Sequence, residues 1–433
     1  MSNWIRSTLE EVCFPDKGSI ISGPFGSNIS SKFFVESGVP VIRGNNLTLG
    51  REKFIDNGFV YVTEEKAEEL NCFALKNDLI FTAAGTLGQV GFLDGDSNYG
   101  RYVVSNKQMR ARIDPSKVNL LYAYYWYSSP WMQQYFQKNN KGSTVPLLTL
   151  SELKSAPIIY PEALEEQADI SRALDSIYTK ISLNQKICSK LEELSKRIYD
   201  YWFVQFDFPN AEGKPYRSSG GKMVWNEQLK REIPQKWAVK DILDLCEIID
   251  CLHSKKPTYQ YESDDTFLLT LENLTQEGYI DLSTKFYVTK SDYAEWTSRI
   301  EVRENDFVVT NAGRAGDIGK IPKGVKCAIG RNLTAIRPFA IEPYYMRGFF
   351  KSGYIQQQIL TNLDAGSFFK SFNVKSIKNL FVLVPDVEVL NAYIELVTPI
   401  VQMIESRLQE AQQLKDLRDW LLPMLMNGQA TVE

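Results

Sequence analysis

The chain is written twice. Compared with itself at a shift of about 230 residues, it gives a series of matches in unchanged order, and a repeated sequence constrains the fold to a repeated architecture. Trp4, Leu9, Val12 and Cys13 correspond to Trp237, Ile242, Leu245 and Cys246. Asn46-Leu47-Thr48 answers Asn273-Leu274-Thr275, and Tyr61-Val62-Thr63 answers Tyr287-Val288-Thr289. The strongest match sets NDLIFTAAGTLGQVG (77–91) against NDFVVTNAGRAGDIG (305–319). Farther on, Gly142-Ser143, Leu153-Lys154 and Pro161 match Gly366-Ser367, Ile377-Lys378 and Pro385.

Each copy divides into a globular portion, 1–160 and 236–385, and a long helical pattern, 161–205 and 386–428, with a connector at 206–235 and a tail at 429–433. In the globular portions DLIFTA and DFVVTN have the β-branched and aromatic run of strands. LLYAYYWYSSPWMQQYF and EPYYMRGFFKSGYIQQQIL have the spacing of amphipathic helices. The glycine-rich AAGTLGQVG lacks the Lys-Ser/Thr of a phosphate loop, so a tight hairpin is expected there.

In the helical patterns Leu174, Ile177, Ile181, Asn184, Cys188, Leu191, Ser195, Ile198 and Trp202 recur at spacings of three and four, as do Val397, Ile400, Ile404, Arg407, Ala411, Leu414, Arg418, Leu421 and Leu425. This is the pattern of a coiled-coil seam. Pro399 marks a place where the second helix kinks or begins. Two equal helices, each following a similar domain, pack most simply as an antiparallel pair. The expected fold is therefore α+β: two similar globular α/β domains separated by a pair of long antiparallel coiled-coil helices.

A net charge of -4 argues against nucleic acid only if the charge is spread evenly. Residues 99–141 carry seven basic side chains and one acidic, and residues 314–380 carry eleven and three. Residues 54–78 carry two basic and six acidic, and residues 260–306 four and eleven. Both copies segregate charge alike, which fits a phosphate-contacting face repeated in each domain. Candidate DNA contacts are Arg101, Lys107, Gln108, Arg110, Lys141, Ser143 and Thr144 in the first copy, and Arg314, Arg331, Asn332, Ser367 and Lys370 in the second.

Other chemistries find little support. Cys13, Cys72, Cys188, Cys246, Cys251 and Cys327 form no C-x2-C pair, and His253 is the single histidine, so neither a disulfide framework nor a histidine metal cluster is expected. Glu64, Glu65, Glu68 and Glu69 read as a solvated helix face. No Asn/Asp-Pro-Pro-Tyr/Phe, cofactor fingerprint or Walker loop is present, so no catalytic residue, cofactor or metal is assigned. The N-terminus has no secretory pattern and no run of roughly 18 apolar residues spans a membrane, so a cytoplasmic location is expected.

The connector WFVQFDFPNAEGKPYRSSGGKMVWNEQLKREIPQKW (202–237), LEELSKRIYDYWF before it and LKDLRDWLLPMLMNG near the C-terminus resemble the central and distal constant regions of type I restriction-modification specificity subunits. The resemblance runs through essentially the whole chain. It implies two target-recognition domains, each reading half of a bipartite double-stranded DNA site. It also implies helices that set the spacer and dock two adenine-methylating modification subunits, which recruit motor-nuclease subunits. SGPFGSNI (22–29) has no equivalent in the second copy, which reads DCLHSKKPTY (250–259), so the two domains should read different sequences. A free-standing methyltransferase or nuclease, and a coiled-coil scaffold without DNA, are the competing readings.

Overall fold

The computed structural model describes residues 3–50, 52–95, 97–142, 145–252, 257–259, 266–275, 278–365 and 370–432. His253 lies outside the described residues. Two compact units emerge: residues 1–184 with 410–433, and residues 185–409.

The first unit holds two four-stranded sheets. Leu79–Thr82, buried at every position, sits between Gln108–Ala111 and Val90–Phe92, with Ile20–Ser22 on the outer edge. In the other sheet Val39–Ile42 and Tyr102–Val104 run parallel, flanked by Val60–Val62 and Phe73–Ala74. The second unit repeats both sheets in the same order. Phe307–Thr310 lies between Leu333–Pro338 and Ile318–Lys320, and Phe267–Leu269 runs parallel to Lys326–Ile329. Central strands buried on both faces need the near-continuous apolar runs found here. A further two-stranded ladder in each unit, Trp4–Thr8 with Pro157–Pro161 and Ala238–Asp241 with Phe381–Val384, ties the start of the domain to its end.

The same polar pins hold both copies. Asn77 and Asn305 adopt φ of 74° and 72°, a left-handed turn that asparagine tolerates better than most residues. The adjoining aspartates are buried and accept two parallel hydrogen bonds from one arginine. Arg112 reaches Asp78 at 2.8 Å through both Nε and a terminal nitrogen, and Arg337 reaches Asp306 at 2.9 and 2.6 Å. Asn46 is saturated by the Arg43 N–H and the Ile55 and Asn57 carbonyls, and Asn273 by the Thr270 N–H and the Asp281 and Thr284 carbonyls. Buried amides of this kind must be fully paired, so each fixes the path of a loop.

Two long helices, Leu164–Tyr199 and Val387–Met426, contribute to both units. In the first unit they run antiparallel: Asn184 Nδ2 and Lys180 Nζ reach Glu410, Arg418 lies over the Tyr178 ring, and Leu174 joins Leu422 and Leu425 in one core. In the second, the Cys188 thiol meets the Ile404 carbonyl at 3.7 Å and the Trp202 ring packs against Tyr393. Ile181 and Ile404 are buried, whereas Ile177, Leu191, Ile198, Ile400, Leu414 and Leu421 are half-buried. Val401 and Leu422 take the deeper places beside Ile400 and Leu421. The helix meets a globular core there as well as its partner helix, that of the second domain at Val401 and that of the first at Leu422, which widens the strict seam to the broader apolar stripe of a core helix.

Pro399 neither starts nor breaks the second helix. It is exposed, and buried Val397, Val401 and Ile404 hold the helix on either side of it. This helix contains an 18-residue stretch of mean hydropathy 1.3, apolar enough by length and composition to span a membrane. Its buried Tyr393, Val397 and Val401 sit in a protein core with Tyr199, Phe203 and Tyr345. The two shorter helical segments are each split, into Leu120–Tyr127 and Pro130–Lys138, and into Pro343–Lys351 and Gly353–Asn362. Ser129 and Ser352 cap the second helix of each pair through their side chains.

Candidate nucleic-acid interface

In the first unit a groove of about 540 Å³ opens beside the end of the buried strand Leu79–Thr82. The glycine-rich stretch forms its floor. It is a hairpin, as expected, but not a tight one: strand pairing ends at Phe81 and Val90, and the loop between turns on Gly85 and Gly88 at φ of 105° and 93°. One wall is Arg43 and Asn45, presented by the short helical turn Gly44–Asn46 that Asn46 pins. The other is Lys107 and Gln108, at the start of the neighbouring strand. Thr86 and Gln89 complete it, with Thr82 Oγ1 donating to Gln89 Oε1.

The candidates divide sharply. Lys107 is exposed on the groove and has no acidic partner among the described residues. Gln108 lines the same groove but is buried, its Oε1 accepting from the Ser105 hydroxyl. Lys141 is exposed, 3.5 Å from Glu152. Arg101 is turned away to Glu64 and Glu68 and lies over the Phe73 ring. Arg110 is buried, bonded to the Gly18 carbonyl and 3.8 Å from Asp78, and burial lowers its pKa. It holds the sheet and is withdrawn as a DNA contact. Ser143 and Thr144 lie outside the described residues.

In the second unit the corresponding turn is Leu271–Asn273 and the loop turns on Gly313 and Gly316. Strand pairing sets Thr82 opposite Gln108 and Thr310 opposite Leu333, so Asn332 stands where Lys107 does. Asn332 is exposed at φ 63°, and its carbonyl accepts from Asn311 as that of Lys107 accepts from Ala83. Arg314 replaces Thr86. It donates to the carbonyls of Leu271 and Leu274 and lies 3.4 Å from Asp317, whose carboxyl burial pushes above its usual range against the pull of Arg314. Arg331 is exposed. Ser367 lies outside the described residues, as does the side chain of Lys370.

The charge blocks that stand apart in the sequence meet in space. Arg101 with Glu64 and Glu68, Arg112 with Asp78 and Arg337 with Asp306 are each a basic block closing on an acidic one. Much of the expected basic face is therefore internal pairing, and the exposed cationic surface is smaller. Arg43, Asn45, Thr86 and Gln89 were missed, although a signal exists. They flank the duplicated Asn46-Leu47-Thr48 and Ala-Gly motifs at positions where the two copies differ, as Thr270, Glu272, Arg314 and Asp317. Arg43 Nε is buried without a hydrogen-bond partner among the described residues. The pins Asn46 and Asn273, and Asp78 and Asp306, are thus shared, while the residues beside them offer different donors and acceptors in the two copies. No metal-binding cluster exists among the described residues, and all six cysteines are buried free thiols.

Residues 1–193 match the family model of the type I restriction modification DNA specificity domain. The type I restriction enzyme MjaIX specificity subunit of Methanocaldococcus jannaschii is 22% identical over 400 residues, covering 91% of this chain and 87% of that one. The HindI specificity subunit of Haemophilus influenzae is 20% identical over 458 residues, covering 94% and 98%. Among solved structures, the type I restriction-modification S subunit from M. genitalium shares the fold, with a TM-score of 0.60 at 15% identity over 98% of this chain and 96% of the other.

Proposed function

We propose that this chain, similar over most of its length to type I restriction-modification specificity subunits, reads a bipartite double-stranded DNA site, one half with each of its two repeated domains, 1–160 and 236–385. The carrying observation is a pinned turn and glycine loop repeated in both copies with changed residues, Arg43, Asn45, Thr86 and Gln89 at the groove of the first against Thr270, Glu272, Arg314 and Asp317 in the second. Lys107 supplies phosphate attraction, and the amide and guanidinium groups supply base-edge readers. Adenine methylation falls to two modification subunits, and cleavage to motor-nuclease subunits that they recruit. This chain itself is non-catalytic and works in the cytoplasm.

The test begins by mapping methylated adenines in cells that carry the chain with its modification subunits. The combined replacement Arg43→Thr, Asn45→Glu and Gln89→Asp should then change one half of the methylated motif and leave the other half and the spacer intact. Each lost base contact relaxes discrimination by about 1–3 kcal/mol. An unaltered motif would exclude the groove as reader. Methyl transfer or cleavage by the purified chain alone would favour the enzyme reading, and the absence of salt-sensitive DNA retention the scaffold.

We further infer that the long helices set the spacer. Seven residues inserted in register into both helices would add about 10 Å, or roughly 3 base pairs at 3.4 Å each. Sequencing the sites methylated by such a variant should show the lengthened spacer; an active variant with the original spacer would refute the ruler.

A further inference from the structure

Beside the groove of the first unit, the loop Ser22–Ile29 holds Phe25 out in solvent, 84% exposed. The loop is clamped from below. The Gly23 N–H donates to the Gln108 carbonyl at 2.9 Å, and a Cβ on Gly23 would stand 1.8 Å from the Ser105 carbonyl oxygen, so only glycine fits. A Cβ on Gly26 would stand 3.0 Å from Asn106 Nδ2, and Asn28 N–H closes the turn onto the Phe25 carbonyl at 2.8 Å. Pro24 stiffens the approach. The sequence thus spends a close-packed glycine and a proline on holding one aromatic ring away from any core. Its neighbours Ser22, Ser27 and Asn28 are exposed and polar, and exposed Lys107, which has no acidic partner among the described residues, follows Asn106. A protein partner would be met by a larger apolar centre than a lone ring among polar groups. A lone ring beside a lysine matches a nucleic-acid base stack next to its phosphate.

Resting on the DNA-recognition reading above, we propose that Phe25 is an apolar wedge that enters a base step of the first half-site, unstacking it. The second copy reads DCLHSKKPTY at the matching place, without Pro-Phe-Gly. Distortion is therefore confined to one half of the site, and that half is selected in part by how readily its step opens.

The experiment uses the full chain in complex with its modification subunits and duplexes carrying the mapped site, with 2-aminopurine placed singly through the first half-site at positions other than the methylated adenine. The wild-type complex should raise the fluorescence at one step. Phe25→Ala should abolish that rise and weaken specific binding roughly ten- to a hundredfold, with the salt dependence unchanged, while Phe25→Trp restores both. Equal affinity and an equal rise with Phe25→Ala would overturn the proposal. So would loss of the modification subunits from the Phe25→Ala complex with the rise per bound duplex intact, which would make Phe25 a protein contact. If the wild-type complex retains no duplex specifically, the recognition reading fails first and the wedge falls with it. Specific retention without any fluorescence rise overturns the wedge alone.

Discussion

Asp78→Ala should be among the most damaging single substitutions in the first unit, lowering its stability by about 3–5 kcal/mol. The carboxylate is fully buried, accepts both Arg112 bonds and the Leu75 N–H, and lies 3.8 Å from Arg110. Removing it takes the carboxylate from both Arg112 and the buried Arg110, whose Nε has no hydrogen-bond partner among the described residues. Unpaired buried charge costs far more than the pair contributes, and the loss is a large share of the 5–15 kcal/mol typical of a domain. Urea unfolding of Asp78→Ala, with hydrogen exchange followed at residues 75–112, checks this. Arg101→Ala, which breaks exposed pairs with Glu64 and Glu68, should leave the transition in place. Comparable losses in the two variants would mean that Asp78 pins nothing.

The second unit has its own charge cluster, around half-buried Glu192, and there the expected effect depends on pH. Glu192, on the first long helix, accepts from Arg347, from Lys351 at 2.8 Å and from the Tyr279 hydroxyl. Burial pushes its carboxyl pKa up, but the Arg347 and Lys351 charges and the bonds from Lys351 and Tyr279 outweigh it, and the net shift is below 4.5. A carboxylate whose folded pKa is depressed stabilises fully above its unfolded value and loses that contribution as pH falls through the folded value. Glu192→Gln should therefore flatten the acid side of the second unit's stability profile below about pH 4.5, and at neutral pH Glu192→Ala should cost about 3 kcal/mol. Unfolding midpoints from pH 3 to 7, followed by exchange within residues 185–409, provide the measurement. An acid limb that keeps its slope in Glu192→Gln would show that the cluster carries no pH dependence.

How much of this was legible in the sequence depends on the kind of signal. Repetition exposes frame residues, because a pin such as Asn46 or Asp78 does the same work in both copies and recurs as Asn273 or Asp306. The groove lining differs between copies, so the same comparison passes over Arg43 and Gln89. Summing charge along the chain misleads for Arg101 and Arg110, since residues that lie some thirty positions from Glu68 and Asp78 are their neighbours in space. Heptad spacing places Ile181 and Ile404 inside. It underrates Val401 and Leu422, because period alone does not show that a helix packs against a globular domain as well as another helix. The capping serines Ser129 and Ser352 were visible and were overridden by apolar periodicity, although Ser129 precedes a proline that is at home only in a first turn.

The first unit is assembled from two stretches of chain separated by residues 185–409. A ribosome adding roughly 5–20 residues per second needs roughly ten to forty-five seconds to cross that gap. Throughout that interval Ile170 and Leu174 lack Leu422, Leu425 and Met426, the side chains with which they share a core. The second unit is contiguous and complete once Gln409 has emerged, so the part synthesised first is the part finished last. A premature stop codon within the codons for residues 410–433 would accordingly strike the unit that begins at the N-terminal side, leaving an apolar seam uncovered on a domain whose own coding sequence is intact.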